Sequence, residues 1–506
     1  MQASEFERKV WLLDQKINQK GFKVDTSLAR KAAIACSKEK ERLDEAVTEM
    51  TEGQVTSATQ VAKVKKFLAD HGCILPNMQA PTLELVMDDD SLAAEARVLI
   101  EARQRVSKSS TSRFMTLLGS VGPDKRLRGG LQYGGAARTL RWAGRMFQPH
   151  NLPRPSRKQD EIEQAIEALQ LGVEDLLTDN VHQLCSDIAR SVIIAEKGNQ
   201  LVVADYSAIE GRVLAWLAAE VWKITAYKNA EDMYIRTFQR MFGLAEGTEL
   251  TSDERQQGKC FELSMGYEGG VRALLNSAKT YGVDVKKLGA GTWKVAPKSI
   301  QSQAHKNYHF AIMRKDTLPA QIGKKLWIQL EAAKLMWRSI APETTRIWKK
   351  YNDAAIKAIE NPGQVFKAGR CQFRCSEVPS TLVIRLPSSR LLLYRAPKLR
   401  EDKRTGRKQI SYVGLYGGRE SLYGGKIAEN VTQAVARDIL AYAMINADRK
   451  GFPIVLHVHD EIIAECKIGS KLNLDLLCKI MKVKPAWASG LPIVAEGFEA
   501  LRYRKD

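Results

Sequence analysis

Two short apolar runs that end on acids constrain this chain more than anything else in it: LVVAD over 201–205 and VLHVHDEIIAE over 455–465. The first leads into VLAWLAAEVWKI, whose apolar spacing is helical, so strand, turn and helix follow one another. The second reads as a strand pair around an acidic turn, yet HDE at 459–461 offers neither Gly nor Asn to favour a tight hairpin. Local turn chemistry does not explain those residues, and function is the better explanation. Asp205 and Asp460 are far apart in sequence, and only neighbouring strands of one sheet bring them together.

Around these runs the chain changes character several times. The first 120 residues read as helical, with charged periodic stretches such as SLARKAAIACSKEKERLDEAVTEM. GSVGPDKRLRGGLQYGG and the Pro pair of NLPRPS then argue a mostly non-helical segment. From about 231 to 351 the pattern is helical again, interrupted by VKKLGAGTWKVAPK, which reads as a loop or insertion. TLVIRLPSSRLLLYRAPKL and RKQISYVGLYGG read as strands, and NVTQAVARDILAYAMINA as a helix. An antiparallel sheet that takes strands from both sides of a helical insertion makes the fold α+β.

A length of 506 residues predicts about three domains. The net charge of +20 is clustered: residues 101–160 hold thirteen Lys or Arg, Lys108 among them, against three acids. Such clustering suits a polyanion, whose condensed counterions are released on binding. Eight cysteines without a regular framework predict reduced, structural thiols. No apolar signal core opens the sequence and no stretch reaches about 18 uncharged apolar residues, so a soluble protein with no membrane partner is expected.

Phosphoryl transfer asks a protein chiefly for carboxylates that hold two hard cations. Between the two acids, Arg255, Lys259, Leu263 and Tyr267 recur every four residues and form one helix stripe. Two cations a turn apart suit a triphosphate, and the aromatic suits a base.

These segments together resemble the DNA polymerase I enzymes, family A of the DNA polymerases. ADYSAIEGR (204–212) is similar to their first polymerase motif, RQQGKCFELSMGY (255–267) to their fingers helix and VHDE (458–461) to their third motif, in the same order. TLRWAGRMFQPHNLP (139–153) resembles the family's TGR to QNIP segment, and ENVTQAVARD (429–438) its primer-side helix. WLLDQKINQKGFKVD resembles the start of the palm and VTSATQVAKVKKFL part of the thumb, while YEGG, RWAGR and ENVTQAV resemble the bacteriophage branch.

The resemblance implies a right-hand polymerase with an antiparallel-sheet palm, helical fingers and a helical thumb. Its divisions fall at 1–30, 131–215 and 366–506 for the palm, 31–130 for the thumb and 216–365 for the fingers. It implies that Asp205 and Asp460 bind two magnesium ions, with manganese as a substitute, that the Tyr206 carbonyl adds a ligand and that Glu461 supports them. Arg255 and Lys259 would bind the incoming dNTP, Lys259 also protonating pyrophosphate, and Tyr267 would pack at the templating position. Glu210 matches the steric gate against a ribose 2′-hydroxyl. Arg141, Asn151, Gln433 and His459 match residues on the primer-template, where minor-groove acceptors hardly distinguish one correct pair from another.

Several positions depart from the family pattern: Leu263 replaces an aromatic, Leu140 a Gly, His150 a Gln, and Glu268 stands where Gly is common. The chain starts at thumb and palm, so a monomeric enzyme without a 3′–5′ exonuclease is expected, working in the cytoplasm, that of the host if phage-encoded. A single-subunit RNA polymerase is the rival enzyme, against which Glu210 and HDE rather than HDS argue. A catalytically silent nucleic-acid-binding protein is the rival of another class, and intact aspartates argue against it.

Overall fold

Charged, alanine-rich sequence at the N-terminus makes helices with narrow apolar stripes, as seen in a computed structural model that describes residues 4–87, 89, 91–106, 110–401, 406 and 408–505. Lys108 of the basic cluster lies outside the described residues. In order come α1 (Glu5–Lys20), β1 (Phe22–Val24), α2 (Thr26–Met50), α3 (Val61–Asp70), α4 (Ala80–Met87), α5 (Ala94–Val106) and α6 (Ser110–Ser120). Asp25 starts α2 by accepting the Leu28 amide at 3.0 Å, which satisfies one of the donors a helix start leaves free. This helix divides its buried face between two cores. Leu28, Ala32 and Cys36 join the main core, whereas Leu43 and Val47 pack with Val64, Phe67, Leu68 and Leu99 in a separate cluster.

The Gly- and Arg-rich stretch that follows forms only short strands, β2 (Arg126–Leu127), β3 (Leu131–Ala136) and β4 (Arg141–Gly144). After α7 (Gln159–Leu171) and α8 (Val181–Asp187), both packed on α2, β5 (Ile193–Ile194) pairs with β1. Next is β6 (Asn199–Tyr206), whose Val202, Val203 and Ala204 are fully buried.

Helices fill the long interval after β6: α9 (Ile209–Ala218), α10 (Val221–Lys228), α11 (Met233–Phe242), α12 (Ser252–Met265), α13 (Val271–Thr280), α14 (Val285–Val295), α15 (Lys298–Met313), α16 (Leu318–Ile322), α17 (Lys324–Ile340) and α18 (Pro342–Glu360). Most of them pack on α17. The stretch read as a loop from its glycines is helix α14. Asp284 caps it by accepting the Lys286 amide at 2.8 Å, and a Cβ on Gly289 would crowd Gln329 and Leu326 of α17 at 3.2–3.3 Å. The glycine there serves helix packing, which local propensity cannot reveal.

The C-terminal part builds two sheets rather than one. The strands β7 (Val365–Ala368), β8 (Cys371–Ser376), β9 (Thr381–Arg385), β10 (Leu391–Glu401), β11 (Lys408–Val413) and β12 (Arg419–Leu422) form an antiparallel meander whose buried face rests on α18. Then come α19 (Gly424–Arg449), β13 (Ile454–Val458), β14 (Glu461–Lys467), α20 (Leu474–Met481) and β15 (Ala495–Ala500). Only β13, β14 and β15 join β6, in the order β13-β14-β6-β15, all antiparallel. All eight cysteines are buried thiols outside any disulfide. No helix among the described residues is long and apolar enough to cross a membrane.

Candidate active site

The sheet register places the acids. Asp205 lies opposite Glu461 on β14 and opposite Glu496 on β15, so three carboxylates share one face in a row. Between β13 and β14 the turn is only His459 and Asp460, closing on the Val458–Glu461 pair. The Tyr206 amide donates to the Asp460 carbonyl at 3.2 Å, which joins the turn to the strand that carries Asp205.

This turn is bought with backbone strain. His459 sits at φ 54, where a side chain is uncommon, and its Nε2 donates to the His150 carbonyl at 2.8 Å. Burial holds the His459 imidazole below its ordinary pKa, and it drives that of His150 down to about 3.

Arg141 bridges the two halves of the site. Its Nη1 lies 2.7 Å from Glu210 Oε1 and its Nη2 3.4 Å from Asp460 Oδ1, while the Tyr267 hydroxyl donates to Glu210 Oε2 at 3.3 Å. On the other side Lys505 donates to Asp205 Oδ2 at 2.6 Å and to Glu461 Oε2 at 3.0 Å. Burial pushes the Asp460 carboxyl up to about 7, with Glu210 and Asp205 acting the same way and Arg141 and Lys505 opposing. Burial likewise raises Glu461.

Acids outnumber the local cations, a donor set that fits a divalent ion. Among the described residues no group of three or more His, Cys, Asp or Glu converges as a ready-made cage. Two carboxylates suit magnesium, which keeps waters and takes substrate phosphates as further ligands.

A cleft of about 810 Å³ opens over these groups, lined among others by Asp205, Tyr206, Glu210, Leu263, Tyr267 and Asp460. The Tyr206 hydroxyl is committed to the Met481 carbonyl at 2.8 Å, which leaves its backbone as the group available to the site. On α12 only the lower part of the stripe, Leu263 with Tyr267 just beyond the helix end, reaches the cleft wall. Arg255 and Lys259 do not. Arg255 Nε donates to Asp232 Oδ2 at 2.7 Å, and Lys259 Nζ lies 4.2 Å from the Tyr281 ring centre, with burial followed by Arg154 and Arg255 lowering its pKa. Gln433 on α19 donates to Glu429 at 3.4 Å and Asn151 to Gln148 at 3.1 Å, both away from that wall.

Two of the departures have a backbone reason. Leu140 is at φ 59 and Glu268 at φ 65, so both occupy left-handed positions that suit Gly. Glu268 offsets the cost by accepting the Gly425 amide at 2.8 Å, which caps α19. Lys505, Glu496 and Asp232 were missed in the sequence because each matters only through a tertiary neighbour. The pairing of β15 with β6 leads to Glu496, and the bridge of Arg502 to Ile194 leads to Lys505.

The family model described as DNA polymerase family A matches residues 179–288, from the approach to β6 into α14. A DNA polymerase of Bacillus phage SP02 is 33% identical over 510 residues, which is 99% of this chain and 71% of that protein. DNA polymerase I of Aquifex aeolicus is 32% identical over 107 residues, 21% of this chain and 18% of that protein. A solved structure, the POL domain of Pol1 from M. smegmatis in complex with DNA primer-template and dNTP, matches with a TM-score of 0.61 at 16% identity, covering 99% of this chain and 70% of that one. The likeness shows the right-hand fold, with its antiparallel-sheet palm and helical fingers and thumb. With 99% of this chain matched to the phage relative, the chain is a DNA-directed DNA polymerase and belongs to DNA polymerase family A.

Proposed function

We propose that this polymerase extends a primer by in-line attack of its 3′-hydroxyl on the α-phosphate of a dNTP, with Asp205, Asp460 and the Tyr206 carbonyl holding two magnesium ions or manganese in their place. The observation that carries this reading is the hydrogen bond between Tyr206 and Asp460, which brings two distant acids together at one end of the sheet. Such ions, when bound, neutralise charge on the attacking and leaving oxygens. Glu461 supports the pair from the adjoining strand position, and Lys505 balances Asp205 and Glu461.

Arg255 and Lys259 leave Asp232 and Tyr281 as α12 swings toward the cleft and then grip the triphosphate. The lowered pKa of Lys259 suits it to give a proton to pyrophosphate. Tyr267 packs at the templating position. Glu210, held by Arg141 and Tyr267, fills the space a 2′-hydroxyl needs. Arg141, Asn151, Gln433 and His459 follow the minor groove of the primer-template. The palm comprises 1–30, 131–215 and 366–506, with the thumb at 31–130 and the fingers at 216–365. Synthesis is carried out by a monomer in the cytoplasm where the template resides.

Primer extension with dNTPs and rNTPs offered separately tests this. Templated, magnesium-dependent incorporation of dNTPs is expected, and Glu210→Ala should raise rNTP use by about 10- to 100-fold. Equal use of both sugars by the wild type would contradict it.

A further inference from the structure

The meander β7–β12 takes no part in the site above, yet residues 365–422 hold thirteen Lys or Arg against four Asp or Glu. Its two faces differ in kind. One rests on α18 and buries Phe373, Leu382, Ile384, Leu392, Tyr394 and Tyr412. On the other, the ladder registers align Lys367, Arg374, Arg385, Arg395 and Arg419.

A β-bulge adds two more cations. Pairing shifts between Arg395 and Lys398, with Ala396 at φ 44. Strict alternation from Leu392 and Tyr394 would turn Lys398 and Arg400 toward α18. The shift instead sets Lys398 opposite Ser411 and Arg400 opposite Gln409, on the open side. A left-handed alanine is a strained way to achieve this, and Arg419 holds it by donating to the Ala396 carbonyl at 3.1 Å.

Of the described acids, Glu377 sits in the β8–β9 turn and the other two lie on the opposite side. Glu401 faces Lys408 across the ladder, and Glu420 accepts the Tyr412 hydroxyl. Among the described strand residues the open face therefore presents seven cations and no acid. Lys367, Arg374, Arg395, Lys398 and Arg400 form no ion pair among the described residues, while Arg385 and Arg419 meet the neutral hydroxyls of Ser389 and Ser411 at 3.0 Å. Strand spacing spreads this charge over about 24 Å.

A partner for such a face is a polyanion, and the side chains between the cations say which kind. Val365, Val383 and Leu393 occupy one row with Arg374, and Tyr416 stands fully exposed on the β11–β12 turn. Apolar side chains and a free aromatic suit unpaired bases, whose faces are open to stacking, whereas a duplex keeps those faces stacked within the helix. Arg138, in the segment leading to Arg141, donates to the Leu393 carbonyl at 2.7 Å and lies over the Tyr394 and Tyr412 rings, so the covered face of the sheet adjoins the site and the open face points away from it. Resting on the polymerase reading, we propose that the open face of β7–β12 binds the single-stranded part of a DNA template.

The test compares the wild type with the combined Arg374→Ala, Arg395→Ala, Lys398→Ala and Arg400→Ala variant by fluorescence anisotropy. The two probes are a primer-template with an unpaired template arm of about 16 nucleotides and one with a single-nucleotide arm. The variant should lose about tenfold or more in affinity for the long arm only, with a salt dependence shallower by about 3 in log–log slope between roughly 50 and 200 mM salt. A second variant with Lys at the three arginines should keep the preference for the long arm. Equal loss on both probes, or no loss, would overturn the proposal. Anisotropy needs no catalysis, so absent primer extension by the wild type would count against the polymerase reading instead.

Discussion

At the scale of single residues, three left-handed side chains carry groups the site depends on. Leu140 precedes Arg141, His459 precedes Asp460, and Glu268 follows Tyr267. Glu268 is the informative one because its strain and its cap separate by substitution. Glu268→Ala keeps the strain and loses the cap, so chemical denaturation should show a loss of about 1 kcal/mol, and Glu268→Gly should cost less. His150 and His457 give a second expectation. Both are buried, and burial holds both pKa values below the ordinary value, to about 3 for His150. The unfolded chain takes up those protons near pH 6.5 while the fold resists, so stability is present above that pH and is lost as pH falls below it. Denaturant midpoints at pH 7.5 and about 5.5 should differ by about 1 kcal/mol per histidine, and His150→Gln should remove part of the difference.

At the scale of elements, α12 is tied to α10 by a buried ion pair. Glu262 meets Lys223 of α10 and also accepts from Trp337 at 3.2 Å and Thr237 at 3.1 Å. Glu262→Ala leaves Lys223 buried without a partner and should cost about 3–5 kcal/mol, whereas the double replacement Glu262→Leu with Lys223→Met should recover most of it in urea unfolding. The stripe of α12 was legible in the sequence because Arg255, Lys259, Leu263 and Tyr267 keep helical spacing. The resting partners of its upper cations were not, since Arg255 pairs with Asp232 on the cleft wall and Lys259 lies over Tyr281. For the same reason α14 escaped notice: Gly289 reads locally as a breaker and acts globally as a packing surface.

At the scale of the whole molecule, α2 links two hydrophobic cores, one behind the acidic sheet and one in the distal lobe. The main expectation from sequence, that strands flanking a helical insertion share a sheet, holds for β6 with β13, β14 and β15. It did not foresee a second sheet, because strands linked by short turns satisfy their own ladder and need no distant partner. Lys505 was equally out of reach, since its place beside Asp205 follows from the segment after β15, where Arg502 bridges Ile194 and the Tyr503 amide bonds the Ile193 carbonyl. The central claim is that Asp205 and Asp460 act as one site. Single-turnover primer extension by Asp205→Asn and by Asp460→Asn, with primer-template affinity measured alongside, addresses it most directly. The account predicts that each variant loses at least about a thousandfold in rate while still binding DNA; wild-type rates in either variant would contradict it.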